Sequence, residues 1–210
     1  MFRFQDMQNR DHIYMKGQVA LQKGKQLARK FDGWGKKYLV EFDIVVNRVP
    51  SETWMNVFRM TSTDNDCCNH GDRIPAVFVN KEKYFYIRAS VGGNGNFHHD
   101  YNFELNTLYH VKIKQEKIVG STSGNFSIWI NDEYILFKEN DQLKIFDNVR
   151  LYLGDPWYSS FKSYGKLTDL KVTNLGMEKH HLEKKIVGYS FKSFFLIELE
   201  INTYCHSMIE

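Results

Sequence analysis

The sequence predicts an all-β fold, an antiparallel two-sheet jelly-roll sandwich followed by a C-terminal tail. Three observations carry this reading. Apolar residues recur with period two in successive short runs between residues 17 and 175. The runs are separated by turn-like clusters at 47–51, 65–72, 92–96, 120–125 and 154–156. No convincing long helical pattern interrupts them, and about ten strands at short spacing mark a sandwich rather than an alternating α/β chain.

The strands follow in order. Tyr38, Val40, Phe42, Ile44 and Val46 alternate with Leu39, Glu41, Asp43 and Val45, giving one apolar and one mixed face. Trp54, Asn56, Phe58 and Met60 interleave with Met55, Val57 and Arg59, a strand apolar on both faces. Residues 74–79 read as a strand broken early by Pro75, which suits a strand start or an edge. Phe85, Ile87 and Ala89 alternate with Tyr84, Tyr86 and Arg88, and Tyr109, Val111, Ile113 and Gln115 with Leu108, His110, Lys112 and Lys114. Phe126, Ile128 and Ile130 line one face of the next strand, and Asn131-Asp132 turns the chain into 134–137. Val149, Leu151 and Leu153 mark a further strand, and Leu167, Leu170 and Val172 the last. The segment 17–30 has some helical character, but Gly24 weakens it and a strand plus a loop is preferred. The expected core includes Val40, Phe42, Ile44, Phe58, Ile87, Val111, Ile128 and Leu151.

This pattern divides the chain into an N-terminal extension (1–14), the sandwich (15–176) and a C-terminal tail (177–210). The tail begins charged, around His180-His181, and continues as IVGYSFKSFFLIELEI. Lys192 and Glu198 make that stretch too charged to span a bilayer, and a short amphipathic helix or an unpacked tail both suit it. No function is assigned to it.

Composition excludes several classes. Lys and Arg number 28 against 25 Asp and Glu, a net charge of +3, and the signs alternate along most of the chain. A nucleic-acid partner, which needs a basic patch or stripe, is not expected. With 42% hydrophobic and 15% aromatic residues the chain can bury a core, so long disorder is not expected. No run of about 18 apolar residues occurs, so membrane insertion is not expected either. The opening MFRFQDMQNRDHIYMKG lacks the apolar region and cleavage site of a secretory signal, which leaves a cytosolic protein or a piece of a longer one. Cys67, Cys68 and Cys205 make an odd count and no disulfide framework. Adjacent cysteines bridge only in a strained ring, so free thiols in a loop are expected. Asn125-Phe126-Ser127 is a glycan acceptor sequon, a pattern that also arises by chance.

The segments LYHVKIKQE, NFSIWINDEYI, NVRLYLGDPWY and GKLTDLKVTNL resemble the C-terminal strands of laminin G-like domains of the concanavalin A-like lectin/glucanase superfamily. Leu108-Tyr109-His110-Val111 stands where that pattern starts with Trp, Asn131-Asp132 where it has Asn-Gly, and Gly165-Lys166-Leu167-Thr168-Asp169-Leu170 at its closing motif. GDRIPAVFV and DPWYSS are similar to segments of such jelly rolls in extracellular proteins. The resemblance covers residues 15–176. It implies the sandwich and an extracellular setting, on a fold that carries adhesion, lectin and hydrolase activities alike.

Each candidate chemistry is weighed on its residues. Retaining glucanases of the superfamily use Glu-x-Asp with a second Glu shortly after, one attacking the sugar and the other protonating the leaving group. Glu41-Phe42-Asp43 matches the start, but the later positions hold Val45 and Val46, so no catalytic residue and no enzyme is expected. Asp64, Asp66 and Asp72, with Asn65 and Asn69 between them, form the densest group of oxygen ligands. They are the candidate calcium ligands, Asp155 is a second candidate, and a solvated loop is the plainer reading. His98 and His99 would point to opposite strand faces, and no Cys-x-x-Cys occurs, so zinc is not expected. Trp157 and Tyr158 follow Pro156 in a loop, where packing explains them less well than stacking on a sugar ring. Asn94 and Asn96 lie in a glycine-rich loop as amide donors and acceptors.

The expectation is a non-catalytic module that recognises a glycan or an extracellular protein through sandwich-rim loops at 61–72, 92–102 and 155–160. A divergent or degenerate glycan hydrolase and an intracellular interaction sandwich are the alternatives. No cofactor is demanded, and calcium is the one the acidic loop suggests.

Overall fold

The computed structural model describes residues 11–21, 27–49, 53–154, 157 and 159–175. The alternating runs become two antiparallel sheets. The first orders β1 (His12–Gln18), β13 (Gly165–Asn174), β3 (Tyr38–Val46), β8 (Leu108–Lys117), β9 (Gly124–Ile130) and β10 (Glu133–Asn140). The second orders β2 (Leu27–Trp34), β11 (Phe146–Leu153), β4 (Trp54–Thr61), β5 (Ala76–Asn80), β6 (Tyr84–Val91) and β7 (Asn94–Asn102). A two-residue strand, β12 (Ser159–Ser160), runs parallel to β4 beside Met55 and Asn56. A single 3-10 turn, Phe161–Ser163, precedes β13, and no α-helix occurs among the described residues.

The apolar faces meet between the sheets. All eight residues expected in the core are at most 1% exposed. Phe42 of β3 meets Phe58 of β4 edge to face at 5.2 Å, one sheet contributing each ring. β9 and β10 join through Asn131 (φ 52°) and Asp132 (φ 63°), the left-handed pair of a tight hairpin turn, as the Asn-Asp dipeptide predicts. The chain crosses between sheets after β1, β2, β3, β7, β10 and β12, so many pairings join distant segments.

Three expectations change. β1 begins at His12, inside the segment assigned to the extension (1–14), pairs with β13 and places Ile13 against Val172 at the edge of the core, while residues 1–10 lie outside the described residues. The loop expected at 92–102 is a tight turn at Gly92-Gly93 followed by β7. Its alternation of Phe97 and Tyr101 toward the core with His98, Asp100 and Asn102 outward is a strand signal that the glycines masked. Cys67 and Cys68, expected as free thiols in a loop, lie in the β4–β5 loop with their sulfur atoms against each other, so they form one vicinal pair and not two separate thiols. The segment 17–30 is the end of β1 and the start of β2, with 22–26 outside the described residues. The chain divides into two units at 176/177, and the tail reading for 177–210 falls outside the described residues.

Candidate functional site

The loop from Ser62 to Arg73, between β4 and β5, is tied down at several points. Ser62 N donates to Gly71 O at 2.9 Å, and Gly71 N donates to Ser90 Oγ of β6 at 2.9 Å. Ser90 Oγ in turn donates to Arg73 O at 3.1 Å. Asp72 is fully buried, and its carboxylate accepts from Thr63 Oγ1 and, at 2.7 Å, from Asn69 N. Asp64 accepts from Arg150 Nη1 at 2.6 Å, while Arg150 Nη2 donates to Thr63 O at 3.0 Å. Asp66 offers its backbone carbonyl to Arg59 Nη1 at 2.7 Å. Asp64 and Asp72 are thus engaged within the protein. No group of three or more His, Cys, Asp or Glu side chains disposed to hold a metal occurs among the described residues.

The loop packs against the β6–β7 hairpin. Gly95 lies under the backbone of Cys68 and Asn69, where a side chain would overlap it. Arg73 Nη1 donates to Asn96 Oδ1. Asn94 Oδ1 accepts from Asn96 N at 2.9 Å, a local turn at the start of β7. Asn94 and Asn96 therefore do adjoin the acidic loop, with side-chain oxygens serving the protein's own structure.

Both lie beside the outer face of the second sheet. An irregularity in the β4–β5 pairing between Asn56 and Phe58 matters here. Residues three apart on a regular strand face opposite ways, but this bulge puts Trp54, Asn56 and Arg59 on one face. Cross-strand pairing sets Asn56 beside Phe78 and Phe78 beside Tyr86. Trp54 meets Tyr86 at 4.1 Å and Phe78 at 6.4 Å, both edge to face. Three guanidinium groups surround these rings. Arg59 lies 5.5 Å from the Phe78 ring centre and Arg73 5.0 Å from it. Arg88 lies 4.9 Å over Tyr86 and 5.8 Å over Trp54. Trp157 completes the group, its ring 4.8 Å from the Arg59 guanidinium. The Asn56 side chain is fully buried here, with neither amide atom hydrogen-bonded among the described residues.

Titration follows from burial. Burial first, then Asp100 and Glu82, push the Tyr86 hydroxyl pKa above its ordinary value. Burial and the nearby Arg73 charge lower that of Arg88, and Asp100 opposes them. His70, stacked on Phe146 at 5.5 Å, and His99 are both lowered, chiefly by burial.

Trp157, Asn94, Asn96, Asp64, Asp66 and Asp72 thus fall in one region, while Tyr158 and Asp155 lie outside the described residues. Sequence reasoning missed Arg59, Arg73, Arg88 and Tyr86, and assigned Trp54 to strand packing. The signal was present in the polar half of the β6 alternation, Tyr84, Tyr86 and Arg88, whose pattern pointed only to solvent. Glu41 and Asp43 lie on the outer face of the other sheet. Glu41 sits 3.2 Å from Lys171 and 3.7 Å from Lys112, and Asp43 contacts His110 Nδ1 at 2.6 Å.

No family model and no curated protein matches the chain. Solved structures do. The binding domain of botulinum neurotoxin serotype D aligns with a TM-score of 0.53 at 10% identity, over 87% of this chain and 47% of that one, so the chain spans about half of it. The alginate lyase Aly36B aligns at 0.48 and 14% identity, over 80% and 81% of the two chains. A SAP-like pentraxin from Limulus polyphemus aligns at 0.46 and 14%, over 82% and 80%. Identities this low speak to the fold alone, a two-sheet β-sandwich of jelly-roll type.

Proposed function

We propose that this sandwich is a non-catalytic recognition module that binds a glycan where the outer face of the second sheet meets the 62–73 loop and the start of β7. One observation carries the reading. Three segments far apart in sequence, at Asp66, Asn96 and Trp157, meet at Arg59 and Arg73 around the Phe78 ring. Arg59, Arg73 and Phe78 are buried and form the base of the patch, while Trp54, Tyr86, Arg88, Asn96 and Trp157 are partly exposed above it, and flat rings with hydrogen-bonding groups beside them suit a sugar chain, which offers apolar ring faces and hydroxyls together. The laminin G-like resemblance supports an extracellular, adhesive setting. The placement of Glu41 and Asp43 on the opposite sheet, each engaged with a basic side chain, supports the absence of catalysis.

A glycan array probed with the full chain, with and without calcium, tests this. Binding is expected for the wild type and weakened in Trp157→Ala, with the calcium arm deciding whether Asp66 and its neighbours recruit the ion. Equal binding by Trp157→Ala and Asp66→Ala places the site elsewhere. Binding to no glycan leaves a protein ligand as the alternative.

A further inference from the structure

We infer that β7 is the edge at which two copies of this chain join, antiparallel and about a two-fold axis at His99, so that their two second sheets become one continuous sheet. This goes beyond the glycan-binding reading and does not depend on it.

An edge strand carries one unpaired row of backbone groups, and proteins blunt such edges with bulges, lysines and prolines. The edge strands among the described residues are β1 and β10 of the first sheet and β2 and β7 of the second. Three of them are irregular. The register shifts between Met15 and Gln18 in β1, between Tyr134 and Leu136 in β10, and between Leu27 and Arg29 in β2. Each also carries a lysine, at Lys16, Lys138 and Lys30 respectively. β7 has neither lysine nor proline, and it pairs with β6 without a break from Phe97 to Asn102. Its other edge meets no strand among the described residues. It is therefore the one of the four with none of these devices.

The side chains of β7 select a second copy as the partner. A two-fold axis perpendicular to a sheet keeps every residue on its own face, so the strand meets its copy symmetrically about the axis. With the axis at His99, His98 of each copy lies opposite Asp100 of the other, on the outer face where both are exposed. An imidazole thus meets a carboxylate twice. On the core side Phe97 of each copy lies opposite Tyr101 of the other, which makes two aromatic pairs. Opposite-charge and aromatic pairs across neighbouring strands both stabilise a sheet. Phe97 and Tyr101 lie 5.9 Å from the rings of Phe126 and Tyr109 respectively, yet each remains half-buried, with no strand beyond it among the described residues. A copy of β7 would cover them. Moving the axis by one residue spoils the match. At His98 it sets that imidazole against its own copy and Asp100 against Asn96, and at Asp100 it sets carboxylate against carboxylate. Within its own chain Asp100 pairs across to Tyr86 and attracts Arg88. A carboxylate has lone pairs enough to accept from an imidazole on its other side as well. Joined in this way, the two second sheets present both recognition patches on one face, and a ligand with repeated units would gain avidity.

Analytical ultracentrifugation of the full chain over a range of concentrations tests this. A reversible dimer is expected for the wild type. His98→Asp sets two carboxylates opposite each other at both ends of the interface and is expected to raise the dissociation constant about tenfold or more. Asp100→His removes both imidazole–carboxylate pairs and is expected to weaken the dimer too. An equimolar mixture of the two single variants restores the pairs, because one chain then brings both carboxylates and the other both imidazoles. The mixture is expected to regain the affinity of the wild type, which a misfolded variant could not do. A wild type that stays monomeric, a dimer that His98→Asp leaves unchanged, or a mixture no tighter than either variant alone overturns the inference.

Discussion

Gly95 lies against the backbone of Asn69 with no room for a side chain between them. This contact locks the β4–β5 loop to the β6–β7 hairpin and holds Asn96 within reach of Arg73. Gly95→Ala is expected to force the two apart. An overpacked backbone contact of this kind costs about 1–3 kcal/mol. Urea unfolding measures the loss, and an unchanged midpoint would mean that the loop yields without cost.

Phe42 is the test of the core. It is 1% exposed and meets Phe58 across the sheet interface. Phe42→Ala leaves a cavity and is expected to cost about 3–5 kcal/mol. A loss below about 1 kcal/mol in chemical denaturation would contradict the packing described.

His70 gives the loop a pH dependence. Its pKa is lowered from 6.5, first by burial and then by the Lys144 charge. Above 6.5 the ring is neutral in both folded and unfolded chains and contributes nothing. As pH falls below 6.5, the unfolded chain takes up the proton more readily, so stability declines until the depressed folded value is passed. His12 and His99 are lowered too and act in the same direction. The melting temperature should therefore fall between about pH 7 and pH 5. His70→Phe should shrink that fall without removing it, and an identical profile in the variant would sink the assignment.

Glu41 is expected to be structural. It lies between Lys171 and Lys112 on a sheet face. Glu41→Gln should cost about 1 kcal/mol or less, as for other partly exposed ion pairs. Incubation with β-glucans should release no reducing ends. Release that disappears in Glu41→Gln would overturn the non-catalytic reading.

The fold was legible where one side of a strand had a single purpose. Val40, Phe42 and Ile44 announce β3 because every second residue enters the core. β7 was hidden because Gly92, Gly93 and Gly95 look like a loop, whereas Gly95 is there for a close backbone approach. The candidate site was legible in part. Trp157 stood out by its loop position, and Asn96 by its place beside the glycines at the start of β7. Arg59 and Asn56 did not, because only the bulge between Asn56 and Phe58 puts both on one face, and no period-two reading reports a bulge. Arg88 was visible but ambiguous, since an outward arginine looks the same in sequence whether it meets water or a ring.

The pairing order has a consequence for how the chain acquires its structure. β13, the most C-terminal described strand, sits inside the first sheet between β1 and β3. While the polypeptide emerges from the ribosome, β1 has no partner and β3 lacks one of its two until residues 165–174 have been made. The unpaired edges of β1 and β3 are a template for wrong pairing during that interval. Long-range closure of this kind also places folding in the slower range, from milliseconds to seconds, known for all-β sandwiches. Translation stalled before Gly165 should therefore leave a chain that chaperones hold and proteases cut, because the first sheet is completed by its last strand.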